Sequence, residues 1–91
     1  MTDEHEIARR IGLRIRGFRK DSGYSQEGLA HLVRRHLGEN GTHVRRNEIS
    51  SWERGRHRPS DKHLVALAAV FGTDPANLLT EPVEPADPAE P

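Results

Sequence analysis

The chain contains no cysteine. This excludes a disulfide framework, a thiolate nucleophile and a Cys-type zinc site. It also lacks any long apolar run. No stretch approaches the roughly eighteen residues needed to span a bilayer, so no membrane segment is expected. No N-terminal stretch joins basic residues to an apolar core, so no signal peptide is expected and a cytoplasmic protein is. Hydrophobic residues are 33% of the 91 residues, which suits one small domain with a modest core and no deep catalytic pocket. Net charge is absent too: 14 Lys plus Arg balance 14 Asp plus Glu. Neutrality would argue against a polyanionic partner only if the charges were evenly spread.

They are not. All 14 basic residues lie between Arg9 and Lys62. Residues 7–62 hold only six acids (Asp21, Glu27, Glu39, Glu48, Glu53 and Asp61), so this segment is +8. Asp3, Glu4 and Glu6 precede it. No base follows Ala66, whereas Asp74, Glu81, Glu84, Asp87 and Glu90 do. The chain is a basic body with acidic ends.

Hydrophobic spacing predicts five helices and no sheet. Ile7, Ile11, Ile15 and Phe18 form one helical stripe, closed by Asp21-Ser22-Gly23. Ser25 is placed to cap a second helix with Leu29, Leu32, Val33 and Leu37 on its inner face, and Gly38 to stop it. A third helix fits Arg46–Arg54, with Ile49 and Trp52 inward and Gly55 at its end. Trp52, the single Trp, is expected in the core. Pro59 breaks the chain and Ser60 is expected to cap a fourth helix, whose Leu64, Leu67, Ala68 and Phe71 repeat at helical spacing before Gly72. Asp74-Pro75 opens a short fifth helix that folds Leu78 and Leu79 onto the core. The domain is expected to occupy residues 1–80. Residues 81–91 form an acidic tail with a proline at every third position, a pattern compatible with polyproline II and unable to pack a core.

Several motifs occur in fixed order: Ile15-Arg16 with Arg19; Gly23-Tyr24-Ser25-Gln26 with Leu29-Ala30; Ile49-Ser50-Ser51-Trp52-Glu53-Arg54-Gly55-Arg56; Pro59-Ser60; Leu67-Ala68; Phe71-Gly72; Leu78-Leu79. Together they resemble the Cro and phage-repressor type of helix-turn-helix, the Xre family, over roughly Ile11 to Leu79. The resemblance implies an all-α, five-helix DNA-binding domain and a transcriptional regulator, not an enzyme. It implies that the third helix is the recognition helix, entering the major groove of double-stranded DNA. The family's base-reading positions fall on Arg45, Arg46, Asn47 and Ser50. Arg can pair bidentately with guanine and Asn with adenine. Phosphate contacts are expected from Ser25 and Gln26, at the partly positive start of the second helix, and from Arg54, Arg56, His57 and Arg58. Arg19 and Glu53 match a structural, largely buried ion pair. Family members usually bind as homodimers on two half-sites.

The sequence departs from the family pattern in the turn. Val44 takes the place of the apolar turn residue, which leaves about nine extra residues from Arg34 to roughly Thr42. The second helix is expected to run to Leu37 and a loop to continue through Gly41, so the connection between helices two and three is extended. Arg34, Arg35, His36 and His43 in this region are candidates to lie along the DNA backbone, or simply to form a surface loop. The long turn followed by Arg46-Asn47-Glu48-Ile49-Ser50 and Trp52-Glu53-Arg54-Gly55-Arg56 is similar to small actinobacterial regulators. Leu13 falls off the apolar stripe at a position usually polar, either as a singly exposed leucine or in an interface, and Gly28 inside the second helix either allows close approach of the DNA backbone or another chain or is simply tolerated. His31 and His36 are five apart, not the i, i+4 pair that shares a helix face, so neither metal nor other cofactor is expected. The competing reading keeps the fold but uses it as a protein-interaction module, an antitoxin or coactivator bridge docking through the acidic tail.

Overall fold

In the computed structural model, residues 4–79 are described. They form α1 (Glu4–Ser22), α2 (Gln26–Leu37), α3 (Arg46–Glu53), α4 (Asp61–Phe71) and α5 (Ala76–Leu79), with a single 3-10 turn at Gly38–Gly41. The described residues contain no strand. The expected tail at 81–91 lies outside them.

The core gathers one stripe from each helix. Ile11 and Ile15 of α1, Leu29, Ala30 and Val33 of α2, Ile49 and Trp52 of α3, Leu64, Leu67 and Ala68 of α4 and Leu78 of α5 are all buried. Phe18 and Phe71 stack at the rim, 5.3 Å between ring centroids. Leu32 and Phe71 are only half-buried, and Leu79 is exposed, so α5 sends one leucine inward and not two. A four-residue helix has room for one inward position on each turn.

α1 and the end of α3 meet backbone to backbone. A Cβ on Gly12 would lie 2.1 Å from the carbonyl oxygen of Trp52 and 2.9 Å from that of Glu53. Only glycine permits this approach. On the same helix, Arg14 Nε donates to the Asn77 carbonyl at 2.7 Å and ties α5 down.

The extended turn is folded, not open. Gly38 takes a positive φ and its N–H bonds to the Arg34 carbonyl, ending α2. The chain then makes its 3-10 turn, and Val44 plugs into the core fully buried. Arg34 Nη1 donates to the Val44 carbonyl at 2.8 Å. Arg34 thus clamps the turn from within.

Two helix starts differ in kind. The Ser25 hydroxyl accepts from the Gly28 N–H at 2.9 Å, as a capping serine does. A Cβ on Gly28 would come within 3.2 Å of that hydroxyl oxygen, a tight contact that a small shift of the serine side chain would relieve. Ser60 has capping backbone geometry but makes no side-chain cap. Its hydroxyl instead meets His63 Nδ1 at 2.8 Å. The imidazole one turn on competes successfully for the hydroxyl.

Candidate nucleic-acid interface

Three helices converge on the Glu53 carboxylate. Arg19 of α1 grips it with two donors: Nε to Oε2 at 2.6 Å and Nη2 to Oε1 at 3.1 Å. The third guanidinium nitrogen, Nη1, donates to the Tyr24 carbonyl at 2.9 Å. Gln26 Nε2, at the start of α2, donates to Glu53 Oε1 at 3.1 Å. The side chains of Arg19 and Glu53 are only 11% and 4% exposed. The carboxylate raises the Arg19 pKa further despite burial, so the cation is permanent. A bidentate, charge-assisted pair of this kind fixes angle as well as distance between helices.

This node is the floor of an open hollow of about 250 Å³, walled by Arg16, Arg46, Ser50 and Arg54. Gln26 reaches into the same hollow. The structure therefore brings together Gln26, Arg46, Ser50 and Arg54, drawn from separate parts of the chain. Arg45, Arg46 and Asn47 are exposed at the first turn of α3. No side chain caps that turn, so its leading N–H groups are left for solvent or a ligand. Ser50, one turn on, is half-buried on the same face.

Arg56, His57 and Arg58 are placed elsewhere. They line a second hollow of about 360 Å³ with Glu4, His5 and Ala8 of α1. His57 Nε2 also lies 3.5 Å from Glu48 Oε2, an ion pair whenever the imidazole is protonated. Ser25 stands at the exposed α1–α2 corner with its hydroxyl engaged by its own helix.

Two residues were not singled out for this surface by the sequence. Arg16 sits one helical turn before Arg19, and that i, i+3 spacing was the available signal. His63 is the other. Its ring packs against Trp52 (5.3 Å) and His43 (5.0 Å), behind α3. Its Nε2 is buried with no hydrogen-bond partner. Burial, and secondarily His43 and Lys62, lower its pKa, against the pull of Glu48. Among the described residues no group of three or more His, Asp or Glu is arranged to hold a metal ion. No described helix is long and apolar enough to cross a membrane.

A helix-turn-helix family model matches residues 15–78, which includes every wall of the hollow. The chain belongs to the Cro- and repressor-type helix-turn-helix family. It is 35% identical over 82 residues to the HTH-type transcriptional regulator DicA of Escherichia coli (strain K12), a match covering 88% of this chain and 54% of the relative. The chain thus spans about half the length of that relative. Among solved structures it is similar to a hypothetical transcription factor from Neisseria, with a TM-score of 0.70 at 27% identity over 90% of this chain and 84% of the other. It is also similar to the P22 c2 repressor, crystallised with a synthetic operator, with a TM-score of 0.64 at 31% identity over 77% of this chain and 92% of the other. This helix-turn-helix family comprises DNA-binding transcription regulators and not enzymes.

Proposed function

We propose that the protein is a sequence-specific double-stranded DNA-binding transcriptional regulator, acting as a repressor by occupying an operator. The observation that supports this best is the exposed first turn of α3, carrying Arg45, Arg46 and Asn47, beside the arginine-walled hollow. In this reading α3 lies in the major groove. Arg45 and Arg46 read guanines, Asn47 reads an adenine, and Ser50 contacts a neighbouring base edge. Ser25 and Gln26 at the start of α2 meet a backbone phosphate, as does Arg54. Arg56, His57 and Arg58 grip the phosphates from the second hollow and set register. The Arg19–Glu53 pair is the structural brace that holds α1, α2 and α3 in this pose. A homodimer presents two such helices to half-sites about one helical turn apart.

Residues 1–80 are proposed to be the DNA-binding domain and 81–91 an acidic appendage. Nothing in the relatives favours the protein-interaction module over DNA binding. Selection of bound duplexes from a random DNA pool tests the proposal. A recovered palindrome is the expected result; absence of any enriched sequence overturns it.

A further inference from the structure

We propose that residues 80–91 fold back over the arginine-walled hollow of their own chain as an acidic strap, which a duplex must displace in order to bind. The segment lies beyond the described residues, and its sequence is the first observation. It runs Glu81-Pro82, Glu84-Pro85, Asp87-Pro88 and Glu90-Pro91, an acid followed by proline at every third position. Polyproline II repeats every three residues, so in that conformation the four carboxylates share one edge at intervals of about 9 Å. No Lys or Arg follows Lys62, so the segment carries no base of its own to pair with them. The hollow supplies the opposite charge. Its floor, Glu53, is already engaged by Arg19 and Gln26. Its walls Arg16, Arg46 and Arg54 pair with no carboxylate among the described residues. Guanidinium groups take carboxylate and phosphate alike, so a spaced row of carboxylates fits where a row of phosphates would.

The fold puts the hollow within reach. Arg14 Nε holds the Asn77 carbonyl, so α5 ends against α1, with Leu79 exposed. Arg16 stands two residues from Arg14, about 200° around the same helix, and walls the hollow on the other side. The exposed arc of α1 between them carries Gly17, Leu13 and Lys20. Half the girth of a helix near 11 Å across is about 17 Å, and the Arg14 side chain adds roughly 7 Å. Asp87 lies about 25 Å along a polyproline II segment from Leu79, so it and Glu90 arrive at the hollow. Exposed ion pairs are individually weak, but a tether this short keeps the acids at millimolar effective concentration. The strap therefore closes reversibly and weakens binding to every duplex alike, most at low salt. The inference rests on the DNA-binding reading for its use, but the closed contact is measurable without DNA.

The chain has no cysteine, so Ala89→Cys takes a single spin label. In the full chain without DNA, at about 50 mM salt, the label is expected to broaden the amide signals of Arg16, Arg46 and Arg54 and to spare the opposite surface around Leu32 and Val70. The broadening is expected to fade at about 0.5 M salt and on addition of a random-sequence duplex. Glu81→Gln, Glu84→Gln, Asp87→Asn and Glu90→Gln together remove the charge and keep every proline. That neutral chain is expected to lose the broadening and to bind the same duplex about 3–10-fold more tightly at low salt, converging with wild type at high salt. Broadening that is absent, or spread evenly over the body, overturns the proposal. Broadening that survives in the neutral chain overturns it too, by assigning the contact to the prolines. So does broadening of an isotope-enriched chain by a separate spin-labelled copy, which places the contact between molecules. A neutral chain that binds the duplex no more tightly shows that the strap does not compete. If neither chain binds the duplex while the broadening stays local and charge-dependent, the DNA reading fails and the strap contact stands.

Discussion

Replacing Arg19 with methionine strands the Glu53 carboxylate, which is 4% exposed and keeps only the Gln26 amide as a partner. Breaking one side of a buried pair costs about 3–5 kcal/mol, and the depth of Glu53 places this variant at the upper end. Glu53→Leu should cost less. Arg19 is more exposed, keeps the Tyr24 carbonyl, and can swing its head toward water. The double variant Arg19→Met/Glu53→Leu buries no charge and should lie within about 1–2 kcal/mol of wild type. A domain of this size has roughly 5–10 kcal/mol of stability in all. A loss of about 4 kcal/mol corresponds to a Tm lowered by roughly 15–30 °C. Trp52 is the single Trp and is buried, so its fluorescence reports unfolding in urea or on heating. The double-mutant cycle then yields the coupling energy directly. If Arg19→Met costs less than about 1 kcal/mol, as exposed pairs do, the pair is not the brace described above.

Gly12→Ala should destabilise by about 3 kcal/mol or more, because its methyl would overlap the Trp52 carbonyl, whereas Gly17→Ala on the open side should stabilise by about 0.5–1 kcal/mol. Urea titrations of the two variants check both signs. Stability should also fall as pH is lowered from 7.5 toward 5.5. Folding depresses the His63 pKa, so the unfolded chain takes up a proton from about pH 6.5 downward while the folded protein resists it. His63→Leu should flatten that slope, as seen in unfolding free energies at the two pH values. In binding assays on a selected operator, Asn47→Ala should relax preference at one base pair by about 1–3 kcal/mol. If it weakened all sequences equally, α3 would not be the reading helix. Arg56→Ala should weaken specific and random DNA alike and lower the salt slope by about one unit.

The helices were legible because each is punctuated by a residue with a local reason. Gly23, Gly38 and Gly72 end helices with positive φ, and Ser25 caps one. Most of each core stripe followed from spacing, but spacing did not mark where the core ends: Phe18, Leu32, Leu37 and Phe71 stop half-buried and Leu79 is exposed. What the sequence did not show depends on contacts between distant segments. Gly12 appears as an ordinary helical glycine until α3 is laid against it. Ser60 carries the pattern of a capping serine, yet His63 takes its hydroxyl. Arg34 looks like one of a run of solvated arginines, but the shape of the 3-10 turn brings the Val44 carbonyl within its reach. At the candidate site, the Arg19–Glu53 partnership came from resemblance and not from spacing, since 34 residues separate the two. Arg16 stood in the Ile15-Arg16 motif with nothing local to place it in the hollow, and His63 lies among ordinary helical residues, so its burial against Trp52 shows only once α3 and α4 are packed.

The hydrogen bond from Gln26 to Glu53 bears on the thermodynamics of recognition. A primary amide has two N–H groups, and here one is committed to a carboxylate that is itself locked by an arginine. The side chain is therefore already confined to one rotamer in the free protein, with its second N–H still to be used. Ordering a mobile side chain at an interface typically costs about 0.5–1.5 kcal/mol. For Gln26 that loss of freedom belongs to folding, not to binding. An anion arriving at the start of α2 would meet a donor whose direction was set when the three helices closed.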